Sequence, residues 1–154
     1  MFKILLVCTG NTCRSPMAAA LLTDMAGRAG LADKIIIESA GIAAGHQPAS
    51  NHAQVVMRQA GLQLDKHCSQ QLTPAKVESA DLVLTMTMSH KRAVASMTRG
   101  AADKIYTLAE FVGQMGDISD PFGGSVAEYS KCAEQLNHLL TQAWGKIVSL
   151  AGKK

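Results

Sequence analysis

The chain has 154 residues, 47% of them hydrophobic, enough for one ordinary domain with a buried core. Its 15 Lys and Arg against 12 Asp and Glu leave a net charge of +3, scattered without a basic run interleaved by aromatics, which argues against nucleic-acid binding and favours, at most, anionic substrates. No apolar run approaches the roughly 18 residues that span a membrane, the apolar first seven residues are too short for a secretory signal, and four cysteines do not make the framework of a secreted domain.

These features predict a single domain over residues 1–154, cytoplasmic and without a membrane contact; they do not fix the oligomeric state, for which a monomer is the default expectation. Lys3–Val7 is a short apolar run ending at a Gly/Asn/Thr cluster, as in a strand buried on both faces of a parallel sheet. Pro16 suits the first turn of a helix, and Met17, Leu21 and Met25 continue it at helical spacing to Gly27 or Gly30. Lys34–Ser39 reads as a second strand, followed by a loop and a helix over Pro48–Ala60 with Ala53, Val56, Met57 and Ala60 on one face. Asp81–Met86 is a third strand, and the helix over Ser89–Met97 takes Ser89 as its N-cap. Lys104–Leu108 is a fourth strand, and Val126–Leu150 a long helix whose apolar stripe includes Tyr129, Cys132, Leu136, Leu139, Ala143 and Ile147. Strands alternating with helices imply right-handed crossovers and a parallel sheet covered on both faces, an α/β fold without internal repeats.

In such sheets ligands sit beyond the carboxyl ends of the strands at a topological switch point. The segment Cys8-Thr9-Gly10-Asn11-Thr12-Cys13-Arg14-Ser15-Pro16 occupies that position after the first strand. It ends at a helix N-terminus, where unpaired N–H groups and the helix dipole favour an anion. Gly10 lets the backbone turn without a Cβ, Asn11 tolerates left-handed geometry, and Arg14 is a planar cationic fork that grips two phosphate oxygens. Thr9 to Ser15 therefore read as a cradle for a phosphate-like dianion. Cys8 at its rim has the surroundings in which thiols become nucleophilic thiolates, and the Ser15 hydroxyl is placed to donate to its sulfur. A phosphoryl transfer to cysteine needs a proton for the leaving group, and Asp120-Pro121, in a loop ahead of the last helix, supplies a carboxyl group.

The remaining candidates read as structural. Cys132 lies on the core stripe of the last helix, Met86 and Met88 are core packing, Asp117 is a solvated loop residue and Asp81 a strand-edge turn residue. Cys68 follows His67 in a polar stretch, and the five histidines have no metal-ligand spacing.

Over nearly its whole length the chain resembles the low-molecular-weight protein phosphatases. The motifs that carry the resemblance are VCTGNTCRSPMA from Val7, SAG at Ser39–Gly41, ADLVLTM at Ala80–Met86 and SDPFGG at Ser119–Gly124. It implies the three-layer, phosphatase I-like fold with a four-stranded parallel sheet, phosphorylated proteins as substrates, and no metal or organic cofactor. By the same resemblance Cys8 forms a phosphocysteine, Arg14 binds the phosphoryl group, and Asp120 acts as acid and then as base for water. Asn11, Ser15, Ser39 and His67 match the residues that hold the loop's shape, although His67 precedes Cys68-Ser69-Gln70 where relatives are more basic. Cys13 matches a second loop cysteine that can form a reversible disulfide with the nucleophile, protecting it from irreversible oxidation.

Thr12 stands where tyrosine-directed members have an aliphatic residue, and Phe122-Gly123 where they often have two aromatics. Both resemble the branch that dephosphorylates protein arginine. A threonine offers an oxygen acceptor beside the polar guanidinium of phosphoarginine, which an aliphatic side chain would crowd and desolvate, and Phe122 supplies a wall to stack on it. A tyrosine phosphatase remains the nearest alternative. An arsenate reductase would need a redox cysteine pair beyond the third strand, and Leu82–Ser96 has none. A phosphocysteine carrier would need no acid at Asp120.

Overall fold

The strands form because short β-branched and leucine-rich runs alternate their side chains between two apolar layers. In β1 (Phe2–Cys8), Ile4, Leu6 and Cys8 pack into a cluster of 29 buried residues, whereas Leu5 and Val7 belong to a second cluster of 10. The computed structural model, which describes residues 1–154, pairs β1 in parallel with β2 (Ile35–Gly41) on one side and β3 (Leu82–Thr85) on the other. β4 (Ile105–Thr107) adds to β3, giving a four-stranded all-parallel sheet in the order β2-β1-β3-β4.

Helices cover both faces. Residues of α1 (Arg14–Arg28), α2 (Asn51–Gln59), α5 (Leu108–Phe111) and α6 (Val126–Gly152) contribute to the larger cluster. Residues of α3 (Pro74–Ser79) and α4 (Met88–Met97) contribute to the smaller one. This is the three-layer α/β sandwich that the residue pattern predicts. No helix is long and apolar enough to cross a membrane. From β1 the chain moves outward to β2 and then returns to the other side of β1 to make β3, so the switch point lies at the carboxyl end of β1, where Cys8 sits.

The boundaries differ from expectation where local hydrogen bonds decide them. β2 runs on to Gly41 because its register pairs Gly41 with Cys8. α1 starts at Arg14, which puts Pro16 in the first turn as its missing N–H predicts. α2 begins at Asn51, later than Pro48, since Ser50 accepts from the Ala53 N–H. Ser89 is not the cap of α4: Thr87 is extended and its hydroxyl accepts from the His90 N–H at 3.1 Å. That frame turns Met88 outward, 36% exposed, and leaves Met86 in the core at 1%. The six-residue α3, the four-residue α5 and a 3-10 turn at Ala102–Lys104 were too short to show a period.

Candidate active site

β1 ends and α1 begins around the loop from Cys8 to Ser15, and buried hydrogen bonds fix its path. Asn11 is the chain's single non-glycine residue at positive φ, +57°, and is fully buried. Its short amide makes the left-handed turn tolerable and ties it down from within. Asn11 Nδ2 donates to Ser15 Oγ at 2.8 Å and to Ser39 Oγ at 2.9 Å, while Oδ1 accepts from the Gln70 N–H at 3.0 Å. The Asn11 carbonyl accepts from His67 Nε2 at 2.7 Å, which assigns the proton of that ring to Nε2. Gly41 closes the underside: a Cβ there would lie 2.5 Å from the Thr9 carbonyl oxygen and 3.0 Å from the Asn11 nitrogen. The loop can pass so close to β2 only over glycine.

No backbone N–H from Thr9 to Ser15 donates to a protein acceptor, and no side chain caps α1. Cys8, Thr9, Gly10, Thr12, Cys13 and Arg14 line a cavity of about 250 Å³, joined by Asp120 and Phe122 from the loop before α6 and by Ala43, Gly45 and Gln47 from the loop after β2. The site thus combines a thiol, a guanidinium, a carboxylate and a row of free amide donors.

Cys8 Sγ lies 2.9 Å from Ser15 Oγ. Because Ser15 accepts from Asn11, its own hydrogen is available to donate to the sulfur. Arg14 is 5% exposed. It donates from Nη1 to the Ile118 carbonyl at 2.9 Å and from Nη2 to Thr9 Oγ1 at 3.4 Å, and Nη2 stands 3.6 Å from Asp120 Oδ2. Asp120 is half exposed, and its Oδ1 accepts from the Phe122 N–H at 3.1 Å, a local turn that aims the carboxylate at the cavity mouth. Phe122 stands out from the surface, 73% exposed.

Cys13 points away from solvent, with Sγ 3.3 Å from the Tyr129 hydroxyl and 3.5 Å from Ser50 Oγ. Burial and the hydrogen bond with Cys13 push the Tyr129 phenol up to about 12. Burial likewise pushes the Cys132 thiol up to about 12, as befits a core residue. Cys68 is exposed, and all four cysteines are free. A larger groove of about 550 Å³ between α1, α2 and α6 has a floor of Leu21, Met25, Val56, Met57 and Ala133 and holds no cysteine.

The fold therefore gathers every candidate around one loop: Cys8, Thr9, Gly10, Thr12, Cys13, Arg14, Asp120 and Phe122 on the cavity wall, and Asn11, Ser15, Ser39 and His67 behind it. Three contributors escape a reading of the sequence. Gly41 and the Ile118 carbonyl act through backbone proximity, and His90 reaches Thr9 from α4. The usable signal for His90 is its place in the first turn after β3, at the same edge of the sheet as the loop. Asp117, expected to be merely solvated, accepts from the Met88 N–H at 2.9 Å and links this loop to the start of α4.

Known proteins share this fold and much of this sequence. The family described as low molecular weight phosphotyrosine protein phosphatase matches residues 3–151. A protein-arginine-phosphatase of Bacillus subtilis (strain 168) is 45% identical over 141 residues, 90% of this chain and 92% of that protein. The low molecular weight protein-tyrosine-phosphatase PtpB of Staphylococcus haemolyticus is 38% identical over 90% of this chain and 94% of its own length. Among solved structures, the YwlE arginine phosphatase, as a cysteine-to-serine mutant with a phosphorylated active site serine, superposes with a TM-score of 0.90 at 42% identity, covering 95% of each chain. With its motifs, fold and a match over nearly its full length in agreement, the chain belongs to the low molecular weight phosphotyrosine protein phosphatase family.

Proposed function

We propose that this phosphatase hydrolyses phosphoarginine residues of proteins through a phosphocysteine on Cys8. The observation that carries the reading is the loop from Thr9 to Ser15, whose backbone N–H groups have no protein acceptor and which lines one small cavity together with Cys8 and Arg14. Such a cradle stabilises the equatorial oxygens of a phosphoryl group in flight, where charge is spread over three atoms. Arg14, held at its Nη1 by the Ile118 carbonyl, is preorganised to add a bidentate contact.

In the first step the Cys8 sulfur attacks phosphorus, the P–N bond breaks, and the departing guanidine nitrogen takes a proton from Asp120. In the second, water attacks phosphorus, Asp120 takes its proton, and the P–S bond breaks to release orthophosphate and the free thiolate. The phosphorylated serine of the YwlE mutant supports a covalent intermediate at the matching place. Thr12 supports the arginine preference: it is half-buried on the cavity wall and brings a hydroxyl where an aliphatic side chain would leave guanidinium N–H groups unpaired. Cys13, also on the wall, is the candidate disulfide partner of Cys8.

The test compares initial rates on a phosphoarginine-bearing protein and a phosphotyrosine peptide at equal enzyme concentration, with acid quenching to trap phosphoenzyme. A higher kcat/KM on phosphoarginine with label on Cys8 is the expected result. A preference for phosphotyrosine would overturn the substrate assignment, and label absent from Cys8 would overturn the nucleophile.

A further inference from the structure

His90 has no place in the chemistry described so far, yet it is bound to the loop that performs it. Its Nε2 lies 2.8 Å from Thr9 Oγ1, the same oxygen that accepts from Arg14 Nη2 at 3.4 Å. The ring is 7% exposed, and the Thr87 cap fixes its backbone in the first turn of α4. Its Nδ1 is the one buried side-chain nitrogen or oxygen in the protein without a hydrogen-bond partner.

That orphan atom decides where the proton sits. Arg14 can only donate, so it occupies one lone pair of Thr9 Oγ1. If Thr9 donated to Nε2, the ring proton would sit on Nδ1 and be buried without an acceptor. If Nε2–H donates to Thr9 instead, Nδ1 keeps a bare lone pair in the interior. Buried N–H groups without an acceptor are the rarer of the two kinds of orphan. A doubly protonated ring is disfavoured as well: burial, then the neighbouring Arg14 charge, push His90 down to about 4 against the opposing pull of Asp117 and Asp120. With Nε2–H donating, Thr9 Oγ1 accepts two hydrogen bonds and its own hydrogen is left over. Thr9 lines the cavity beside Cys8 and Arg14.

We propose that His90 is a positioning residue which, as the Nε2–H tautomer, turns the Thr9 hydroxyl so that it donates to a phosphoryl oxygen in the cavity while the same oxygen steadies Arg14. This rests on the phosphatase reading above and adds to it a side-chain donor for the phosphoryl group. Thr9 touches the substrate, and His90 acts through Thr9.

The experiment is a double-mutant cycle of Thr9→Val and His90→Leu, with His90→Gln as the conservative variant, read as kcat/KM and as the inhibition constant of orthophosphate. Each single change is expected to lower kcat/KM about 10-fold, the worth of one charge-directed hydrogen bond, and to weaken orthophosphate. The double variant falls no further than either single one, because both remove the same donor. His90→Gln, whose amide N–H reaches the Nε2 position, recovers most of what His90→Leu loses. Additive losses would overturn the proposal, as would His90→Gln falling as low as His90→Leu, or His90→Leu lowering Tm with kcat/KM and orthophosphate inhibition unmoved. Should His90→Leu fail to fold, His90→Met, which also lacks a donor, takes its place in the cycle with Thr9→Val. Failure of the phosphocysteine reading is distinguishable, since it would show as an unlabelled Cys8 in the wild-type enzyme whatever the cycle gives.

Discussion

The two loops that make the cavity are built in opposite ways. From Cys8 to Ser15 the loop is tied from below: Asn11 and Ser15 are at 0% exposure and Cys8 at 2%, Ser39, His67 and Gln70 reach in from outside the loop, and only Thr9, Gly10 and Thr12 face outward. From Gly116 to Ser125 the site residues are open to water, with the Asp120 side chain half exposed and Phe122 at 73%. In the proposed reaction the rigid loop meets the part that never changes, a tetrahedral or planar phosphoryl group whose oxygens demand fixed donors. The open loop meets the leaving group, which arrives attached to a protein and must be admitted, protonated and released. Preorganisation is concentrated where the charge is, and adaptability where the substrate varies.

Breaking the open side at its proposed acid gives the largest effect short of removing the proposed nucleophile. Asp120→Asn is expected to lower kcat by about 10²- to 10⁴-fold. Inhibition by orthophosphate should hold or tighten, because Asp120 contributes only a contact at 3.6 Å to Arg14 and its negative charge is gone. A loss of phosphate affinity parallel to kcat would show that the carboxylate belongs to the cradle.

Breaking the rigid side from below comes next. Gly41→Ala drives a methyl into the Thr9 carbonyl oxygen at 2.5 Å, so the loop must shift. We expect kcat/KM to fall about 100-fold and unfolding free energy to drop by about 1–3 kcal/mol in urea melts. Near-normal activity would mean that the loop is less fixed than its hydrogen bonds indicate.

Thr12 belongs to the rigid loop but, in the proposed reaction, faces the variable leaving group from the cavity wall, so it sharpens the comparison. Thr12→Ile should shift the ratio of phosphoarginine to phosphotyrosine kcat/KM about 10-fold toward tyrosine. Equal losses on both substrates would remove Thr12 from the specificity of the site.

The last effect is absent at neutral pH. His90 is kept neutral by burial and by Arg14, with Asp117 and Asp120 pulling the other way, and titrates at about 4 against 6.5 when unfolded. The unfolded chain therefore gains a proton that the native state refuses. Stability is full above about pH 6.5 and declines as pH falls toward about 4, by at most about 3 kcal/mol. Urea melts at pH 7.5 and 5.0 should show this loss, and His90→Gln should reduce it. A pH dependence identical in the variant would place the titration elsewhere.

The strong periodicities survived folding. β1, the long α6 and the loop that joins a buried strand to a helix are local matters, set by alternation, by helical spacing and by glycine and asparagine at a turn. The cap of α4 did not follow, because Ser89 and Thr87 are both good caps and only the exit angle from β3 makes Thr87 the extended one. Short elements such as α3 and α5 held too few residues to show a period.

For the site, the chain by itself pointed to the chemistry: Cys8, Arg14 and Ser15 lie within eight consecutive residues, and Asp120-Pro121 marks its own loop. Tertiary structure decided how those groups are held. The Gly41 approach under Thr9, the Ile118 carbonyl on Arg14 and the His90 ring on Thr9 join residues far apart in the chain. Backbone atoms look alike at every position, and a histidine's partner is fixed by the packing that brings the first turn of α4 to the loop after β1, so neither leaves a local pattern to read.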